Sequence, residues 1–402
     1  MIDTMDYCNQ DVTTKGRSEP VGHTGRDLGQ YSEYVPSGYP VRHKRKVPFD
    51  PVIKLDLNYR ERSNEIRKMD YRLDAIILTA GDYLDFVKDV CSSNIHWSTS
   101  IEGNPLTQED VRMISTSFFS GKKSKEKRDG PRQEILNHLY SHIIADRFRL
   151  PWDIDTVRNT HRTLTERTGI DGLPGKIREH EAVIRGKDGI EYMIPCPARH
   201  ITEELSSLLS WLEVSPYDPL ITSTLFFHEF ESIHPFTDGN GRTGRTLFQI
   251  LLQELGLKNS KLCRSEEIIL GSLRTYYGLL GYTDQTQDYK PLIDHISESL
   301  HMAYRKALEE FGRKNILNDL DEASKTLAIR SKRESWFSIS DASAWISLGD
   351  QRISHKLNEL VEMGVLEKDG RTKSTRFRFK DPFAYIKATS QKRIDEYMKQ
   401  KD

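Results

Sequence analysis

The sequence predicts a mainly α-helical protein with one β-hairpin in its helical core and a small α+β unit near its C-terminus. Apolar residues recur at three- and four-residue spacing over 56–96 and over most of 132–312, which is the period of an amphipathic helix. Two β-prone runs within 181–194 flank a glycine-containing turn and predict the hairpin. Over 335–380, two helical patterns precede two alternating ones, which is typical of a winged helix-turn-helix.

Length and charge set the first limits on function. The chain has 402 residues, too many for one compact core, so two or three domains are expected. Lys and Arg total 59 and Asp and Glu total 60, and the formal net charge of -1 argues against a polyanion-binding surface over the whole protein. The sequence has no apolar run of about 18 residues and no apolar stretch typical of a secretory signal at its N-terminus. We therefore expect no membrane span and no secretion.

The cysteines favour a reducing compartment. Cys8, Cys91, Cys196 and Cys263 are far apart in the sequence, and no pair shows CxxC spacing. This pattern does not indicate a disulfide framework or a zinc knuckle. The cytoplasm is the compartment that it favours.

The chain is predicted to contain six segments. They are a flexible leader (1–46), an N-terminal helical region (47–131), a helical core (132–312), a helical connector (313–334), the winged unit (335–381) and a C-terminal tail (382–402). The leader is polar and ends in a basic cluster that we expect to be solvated. In the N-terminal region, Thr107 stands three residues before Asp110, which predicts a capping box at the start of a helix.

The winged unit is the candidate for a second binding function. Ser340 is the expected cap of its first helix, and the second helix is expected from about Gln351 to Met363. Residues 371–380 include five basic residues and no acidic one, a composition that suits phosphate groups. Winged helices also serve as protein-docking or dimerisation modules, so DNA and protein both stay open as partners.

One twelve-residue segment, 234–245, contains most of the predicted chemistry. It reads HPFTDGNGRTGR and lies between two apolar helical patterns, which predicts a tight turn between buried helices. Glycines permit close backbone approach, and a helix N-terminus with free N–H groups suits an anion. Arg242 and Arg245 are three residues apart and can face the same phosphate, while Asp238 offers a hard oxygen to Mg²⁺. His234 is the group whose reference pKa lies near neutrality.

These features together predict a nucleotide phosphate site. A zinc site is disfavoured, because His228 and His234 are six residues apart and do not share a helix face.

The segment agrees at every position with the pattern HPFxDGNGRxxR, so the chain resembles the Fic (filamentation-induced-by-cAMP) family. Weaker likeness extends to 174–178 before the hairpin, and to Tyr276, Tyr277 and the later 291–293 in the C-terminal helices. The resemblance covers about 47–312. It implies a Fic-type helical core with a β-hairpin flap, and an enzyme that transfers AMP from ATP to a Tyr, Thr or Ser hydroxyl of a protein.

The resemblance also implies a role for each residue of the motif. His234 would be the general base and Asp238 the Mg²⁺ ligand. The remaining positions would bind the nucleotide: Gly239, Asn240 and Gly241 as an anion hole for the α-phosphate, Arg242 at the β-phosphate, Arg245 at the γ-phosphate and Tyr277 near the adenine. The 181–194 hairpin would hold the protein target in extended form by strand addition.

A second motif lies upstream, in residues 98–103. It reads STSIEG and resembles the (S/T)xxxE(G/N) motif of an inhibitory helix in many Fic proteins. Ser98 and Glu102 are four residues apart and share one helical face. By this resemblance, Glu102 would compete with the γ-phosphate for Arg245, so the enzyme would be autoinhibited within one chain.

Two alternatives of different kinds remain open at this stage. Within the enzyme class, the protein could remove AMP from a modified target or act in both directions, with Glu102 positioning a water. From another class, it could be a DNA-binding regulator whose Fic domain senses a nucleotide. The sequence does not distinguish Tyr, Thr and Ser as acceptors, and it leaves self-modification and homodimerisation open.

Overall fold

The fold is mainly helical, as predicted. The computed structural model describes residues 31, 33–120, 130–145, 148–186, 189–370 and 374–380. In these ranges the helices are α1 (Leu57–Ala75), α2 (Ala80–Ser100), α3 (Gln108–Phe119), α4 (Gly130–Ile144), α5 (Ile154–Thr165), α6 (Ile201–Val214), α7 (Pro219–Ile233), α8 (Asn240–Glu254), α9 (Ser265–Ile269), α10 (Leu273–Thr286), α11 (Lys290–Arg313), α12 (Glu322–Ser331), α13 (Ile339–Ser343) and α14 (Asp350–Glu362).

Two small sheets accompany the helices. The strands are β1 (Val41–Arg42), β2 (Ile184–Arg185), β3 (Glu191–Ile194), β4 (Leu366–Asp369) and β5 (Arg376–Phe379). The first sheet has the order β1-β3-β2: β2 and β3 pair antiparallel around the predicted turn, and β1 pairs parallel with β3. Strands β4 and β5 form an antiparallel pair with Leu366 opposite Phe379.

A large apolar core surrounds α7 and α8. Every residue of α7 from Leu220 to Ile233 is buried, and so is most of α8. A helix that is buried all round belongs to the centre of a large core. Asp218 caps α7 by accepting hydrogen bonds from the N–H groups of Leu220 and Ile221, and Pro219 occupies the first helical position.

A smaller core joins α12, α13, α14, β4 and β5. Phe337, Leu357 and Phe377 are among its buried members. Ile77, from the short connection between α1 and α2, belongs to the same core, and its carbonyl accepts a hydrogen bond from the Ile316 N–H at 3.0 Å. The N-terminal helices therefore contact the C-terminal unit directly.

Ordered structure begins earlier than the predicted leader allows. Residues 33–46 lie against the large core: Val41 is buried in β1, and the His43 N–H donates to the Ile194 carbonyl at 2.9 Å. The prediction of a flexible leader over 1–46 is therefore wrong for 33–46. Hydrophobic periodicity could not detect this segment, because backbone bonds and single buried side chains hold it. Residues 1–30 and residue 32 lie outside the described residues.

Helix boundaries agree with several sequence signals and differ at one. Thr107 and Asp110 form the predicted capping box at the start of α3. The first helix of the C-terminal unit is capped by Ser338 instead of Ser340, because Ser338 and Asp341 form a capping box of their own. The predicted tail (382–402) and two of the five basic residues, Arg371 and Lys373, lie outside the described residues.

Among the helices that the structure describes, none combines the length and the apolarity needed to cross a bilayer.

Candidate active site

The turn between α7 and α8 brings together the residues of segment 234–245. His234 ends α7 with a left-handed backbone (φ 52°), and Gly239 precedes α8 with another (φ 81°). A Cβ atom on Gly239 would lie 2.9 Å from Thr165 and 3.2 Å from His161, so glycine is required for both space and conformation. The first N–H groups of a helix have no partner within the helix, so those at the start of α8 are candidate donors to an anion.

Two side chains brace the turn from within. Asn240 accepts from the Phe236 N–H and donates to the Phe236 carbonyl, both at 2.8 Å. His161 accepts from the Gly175 N–H at Nδ1, so its Nε2–H donates to the Asp238 carbonyl, also at 2.8 Å. Burial lowers the pKa of His161 to about 4, which keeps the ring neutral and in this tautomer. The Asn240 amide, predicted for the anion hole, thus holds the turn in this structure.

The structure gives His234 the tautomer of a base. Its ring is 2% exposed, and Nδ1 lies 3.3 Å from the Glu231 carbonyl. Because a carbonyl can only accept, the proton between them sits on Nδ1, and the neutral ring has its lone pair at Nε2. The backbone of His234 is held as well, since Arg178 Nε donates to its carbonyl at 2.7 Å.

Arg242 lies between two carboxylates. Its guanidinium donates to Glu134 from α4 and to Asp238 at 2.7 Å. Asn104 donates to the other oxygen of Glu134 at 2.6 Å. Burial lowers the pKa of Arg242, but the nearby carboxylates of Glu134, Asp238 and Glu102 outweigh this effect and raise it. Its Nε is buried and has no hydrogen-bond partner among the described residues, so the site holds a donor that is not satisfied.

Arg245 contacts the upstream motif of residues 98–103, a pairing that the family resemblance had implied. Its Nε donates to Ser98 Oγ at 2.9 Å, and its Nη2 donates to the Ser98 carbonyl at 2.8 Å and to Glu102 Oε1 at 2.6 Å. The side chains of Arg245 and Glu102 are 4% and 7% exposed, so this ion pair is buried. Glu266 from α9 lies 3.9 Å from Nε, and burial raises its pKa to about 7.

Helix α2 aims Glu102 at the start of α8. Cys91, Ile95 and Ser98 are buried and lie on the same stripe of α2, which continues to Glu102 in the turn that follows. A Cβ atom on Gly241 would lie only 2.4 Å from Glu102 Oε1. The carboxylate therefore sits directly against the glycine backbone of the turn, where an anion would contact α8.

Tyr277 lies outside segment 234–245, on a separate helix. It is buried in α10, and its ring packs edge-on against Tyr276 at 4.9 Å between centroids. Both tyrosines contribute to the electrostatic surroundings of Arg245.

Three residues of this site were not assigned from the sequence: Glu134, His161 and Arg178. Glu134 is 108 residues from Arg242, and no local pattern connects them. His161 stands inside an ordinary amphipathic pattern in α5. Arg178 belonged to a segment noted for its resemblance, but its four hydrogen bonds to backbone carbonyls had no sequence signal.

The geometry thus defines a helical protein with a glycine-rich turn that brings together a buried histidine and two buried arginines. Comparison with known proteins agrees with the motif: residues 151–252 match the model of the Fic/DOC family. The chain therefore contains a segment that matches the Fic/DOC family, which agrees with the motif of residues 234–245.

Related proteins and structures cover different parts of the chain. A protein named "Protein adenylyltransferase fic-1" from Caenorhabditis briggsae is 25% identical over 168 residues, which are 40% of this chain and 32% of that protein. A "Probable protein adenylyltransferase" from Aquifex aeolicus is 33% identical over 103 residues, 25% of this chain and 31% of that protein. The chain spans about a third of the length of these curated relatives.

A crystal structure of a Fic family protein from Desulfovibrio desulfuricans G20 has the same fold. It covers 82% of this chain and 98% of its own, with a TM-score of 0.56 and 23% identity.

Proposed function

We propose that this protein is an adenylyltransferase that transfers AMP from ATP to a Tyr, Thr or Ser hydroxyl of a protein and releases pyrophosphate. The observation that supports this most strongly is that His234, in the tautomer of a base, shares one turn with two buried arginines. The names of the relatives point to the same activity. The relatives' names thus support the reaction class, and the local geometry supports the choice of the groups that would perform it.

His234 is the proposed general base. Its Nε2 takes the proton of the target hydroxyl as that oxygen forms a bond to the α-phosphorus. The bond from the α-phosphorus to the bridging oxygen of the β-phosphate breaks, and pyrophosphate leaves. A positioned base contributes roughly 10²–10⁴-fold to a rate. The hydrogen bonds from Arg178 to His234 and from His234 to Glu231 fix the ring's position, so little ordering is needed when ATP binds.

The triphosphate is proposed to lie along the start of α8. The N–H groups near Gly239 and Gly241 would donate to the α-phosphate, where charge develops in the transition state. Arg242 would bind the β-phosphate, Arg245 the γ-phosphate, and Tyr277 would lie near the adenine. The buried Arg242 Nε, which lacks a partner among the described residues, fits an anion at this place.

Asp238 offers a carboxylate oxygen of the kind that Mg²⁺ binds. Its side chain is 22% exposed and its carboxylate lies beside Arg242 at the mouth of the turn. Mg²⁺ commonly uses one or two carboxylates together with substrate phosphates. When bound, the ion would neutralise phosphate charge, while Arg242 would keep the Asp238 carboxylate in place.

Autoinhibition by Glu102 is part of this proposal. The carboxylate sits 2.6 Å from Arg245 and against Gly241, so it occupies the position proposed for the γ-phosphate. Two anions cannot share that position without strong repulsion at close range. ATP could then bind only with its triphosphate displaced, and a misplacement of about 1 Å can cost around 10²-fold in rate.

The target is proposed to add a strand to the hairpin of β2 and β3. The sheet order β1-β3-β2 leaves outer edges on β1 and on β2 among the described strands, and the edge on β2 belongs to the hairpin. Strand addition would fix the register of the target with little reading of its sequence. We also propose the domain boundaries that the sequence predicts. In this division, residues 335–381 form a winged helix whose partner is DNA or a protein.

The test uses ATP labelled at either the α- or the γ-phosphate, with Mg²⁺ and the Glu102→Gly variant. We expect protein labelling from the α-position and none from the γ-position, which distinguishes AMP transfer from phosphorylation. His234→Ala in the same background should reduce labelling at least 10²-fold. His355→Ala, which removes an exposed histidine of α14, should label like its parent. Labelling by His234→Ala at the parental rate would contradict the assignment of the base.

The direction of the reaction needs its own assay. An AMP-modified target is incubated with wild type and with Glu102→Gly, and released AMP is measured. Release that depends on Glu102 would favour the reverse reaction, with this carboxylate positioning a water. For the DNA-regulator alternative, the described residues give no added support, because Arg378 pairs with Glu367 and packs over Trp336.

A further inference from the structure

A second cluster of chemically active side chains lies outside the proposed active site, on the other side of the α7 C-terminus. His43, Cys196 and Glu204 come from three separate segments: the N-terminal strand region, the end of the hairpin and α6. One ligand atom from each lies within 4.8 Å of the others. The Cys196 residue and the side chains of His43 and Glu204 are at most 1% exposed. The motif residues of 234–245 do not include any of them.

The distances within this cluster are close to those of a tetrahedral zinc site. His43 Nε2 lies 2.7 Å from Glu204 Oε2, and Cys196 Sγ lies 3.6 Å from Glu204 Oε1. Around zinc, with bonds of about 2.0–2.3 Å, neighbouring ligand atoms are separated by roughly 3.3–3.6 Å. The two separations involve different oxygens of Glu204, so the carboxylate would turn to present one oxygen to the ion, and the His43–Glu204 pair would open by about 0.6–0.9 Å.

The hydrogen bonds behind His43 are those expected around a metal-bound imidazole. Ser232 donates its hydroxyl hydrogen to Asp284 at 2.6 Å. With that hydrogen used, Ser232 Oγ accepts from His43 Nδ1–H, whose nitrogen is 2.7 Å away. The proton is thereby held on Nδ1, so Nε2 is the atom directed at Glu204. Metal-ligating histidines commonly donate their other N–H in this way, which fixes the ring's orientation.

Acidic side chains outnumber the basic ones around this cluster. Three buried carboxyl groups, Glu204, Glu229 and Asp284, are grouped here with Lys46 and His43, and burial raises the pKa of Asp284 to about 7 and that of Glu229 above its ordinary value. His228 adds no charge, since burial lowers its pKa to about 3.

Two arginines lie near the cluster. Arg178 gives its hydrogen bonds to backbone carbonyls, including that of Cys196. Arg45 is about half exposed and lies 3.9 Å from Glu204. A divalent ion would pair with the buried Glu204 carboxylate in place of Arg45, whose flexible side chain can move aside to admit it.

We propose that His43, Cys196 and Glu204 bind a zinc ion, with water in the fourth position. Thiolate, imidazole and carboxylate together form a donor set that suits this borderline-soft cation. Binding displaces the proton of the Cys196 thiol and any proton carried by His43 Nε2, and the displaced protons are released to solvent. No electron transfer is involved.

The ion would tie the N-terminal segment to the base-bearing turn. Cys196 N–H donates to the Ser232 carbonyl, two residues before His234, and Arg178 bridges the Cys196 and His234 carbonyls. Zinc would therefore hold residues 41–46 and the α7 C-terminus in one rigid unit. This role concerns stability and positioning, and it is independent of the proposed AMP transfer.

The test is metal binding by the full chain under reducing conditions. After removal of metals with a chelator, dialysis to remove the chelator and addition of zinc, wild type should bind one zinc ion per chain, and cobalt in its place should give a thiolate-to-cobalt charge-transfer band in the near ultraviolet. Cys196→Ser should lose the band and bind zinc at least tenfold more weakly, as should His43→Ala. Cys263→Ser, which changes a buried thiol elsewhere, and Cys8→Ser should keep both.

A further variant tests the site even if Cys196→Ser or His43→Ala folds poorly. Ser232→Ala leaves all three ligands in place, and loss of the supporting hydrogen bond should weaken zinc binding about 10–100-fold. Zinc should also raise the Tm of wild type and leave that of Cys196→Ser unchanged. The proposal is overturned if wild type binds no zinc, or if Cys196→Ser gives the same affinity and the same cobalt spectrum as wild type.

Discussion

The buried contact between Glu102 and Arg245 can be weakened in graded steps, and the rate of AMP transfer should follow. Glu102→Gln keeps the shape of the side chain but removes its charge. A hydrogen bond to a charged acceptor is worth about 1.5–3 kcal/mol, against about 0.5–1.5 kcal/mol for a neutral one. The difference of about 1–2 kcal/mol favours the triphosphate over the side chain by a factor of about 5–30.

We therefore expect labelling by Glu102→Gln to rise about 5- to 30-fold over wild type. Glu102→Gly, which removes the whole acceptor, should rise further. The measurement is the initial rate of incorporation from α-labelled ATP, at ATP concentrations that saturate each variant. Glu109→Gln is the matched control, because it removes an exposed carboxylate from the next helix and should leave the rate unchanged.

The labelling rates of wild type, Glu102→Gln and Glu102→Gly together test this reasoning. If both Glu102 variants fold and bind ATP but label no faster than wild type, the carboxylate does not compete with the γ-phosphate. If Glu102→Gln matches Glu102→Gly, the side chain acts by its charge alone, and the hydrogen bond to Arg245 contributes little.

Two further predictions concern stability. Gly244→Ala should lower the free energy of unfolding by about 1–3 kcal/mol in urea titrations, because the added Cβ would lie 2.2 Å from Glu231 Oε1. Gly312→Ala is the control: its Cβ would meet no atom within 4 Å, so the change should be neutral or stabilising. Burial raises the pKa of Glu266 from its ordinary 4.5 to about 7. The folded protein therefore binds this proton more tightly than the unfolded chain, and the resulting contribution to the free energy of unfolding is full below pH 4.5 and is lost as the pH rises to 7. Between pH 4.5 and 7, the free energy of unfolding of wild type should fall by up to about 1.4 kcal/mol per pH unit, and Glu266→Gln should reduce this fall as measured by the urea midpoint. Equal pH slopes for wild type and Glu266→Gln would contradict the assignment. A Gly244→Ala protein as stable as Gly312→Ala would contradict the packing argument.

Local patterns in the sequence predicted the helices and the chemistry of the turn. Periodicity marked the helical regions, and a Thr and an Asp three residues apart identified the start of α3. The motif itself predicted a turn between two buried helices, because its glycines and flanking apolar runs all act within a dozen residues. The contact of Glu102 with Arg245 was anticipated only through resemblance, since 143 residues separate the two.

Features that depend on distant pairing were not visible in the sequence. Strand β1 has two residues and is held by its pairing with β3, so it carries no periodic signal of its own. Glu134 reaches Arg242 only after α4 has packed beside α8. The cluster of His43, Cys196 and Glu204 likewise forms from three segments, and no ligand spacing along the chain could indicate it.

The central claim is that the turn over 234–245 binds the triphosphate of ATP with His234 beside the α-phosphate. A crystal structure of Glu102→Gly with Mg²⁺ and a non-hydrolysable ATP analogue tests this most directly. The account predicts the γ-phosphate on Arg245, in the place that the Glu102 carboxylate occupies here, and the α-phosphate at the N-terminus of α8. A nucleotide bound elsewhere, with Arg245 still bonded to Ser98 and the turn empty, would contradict it.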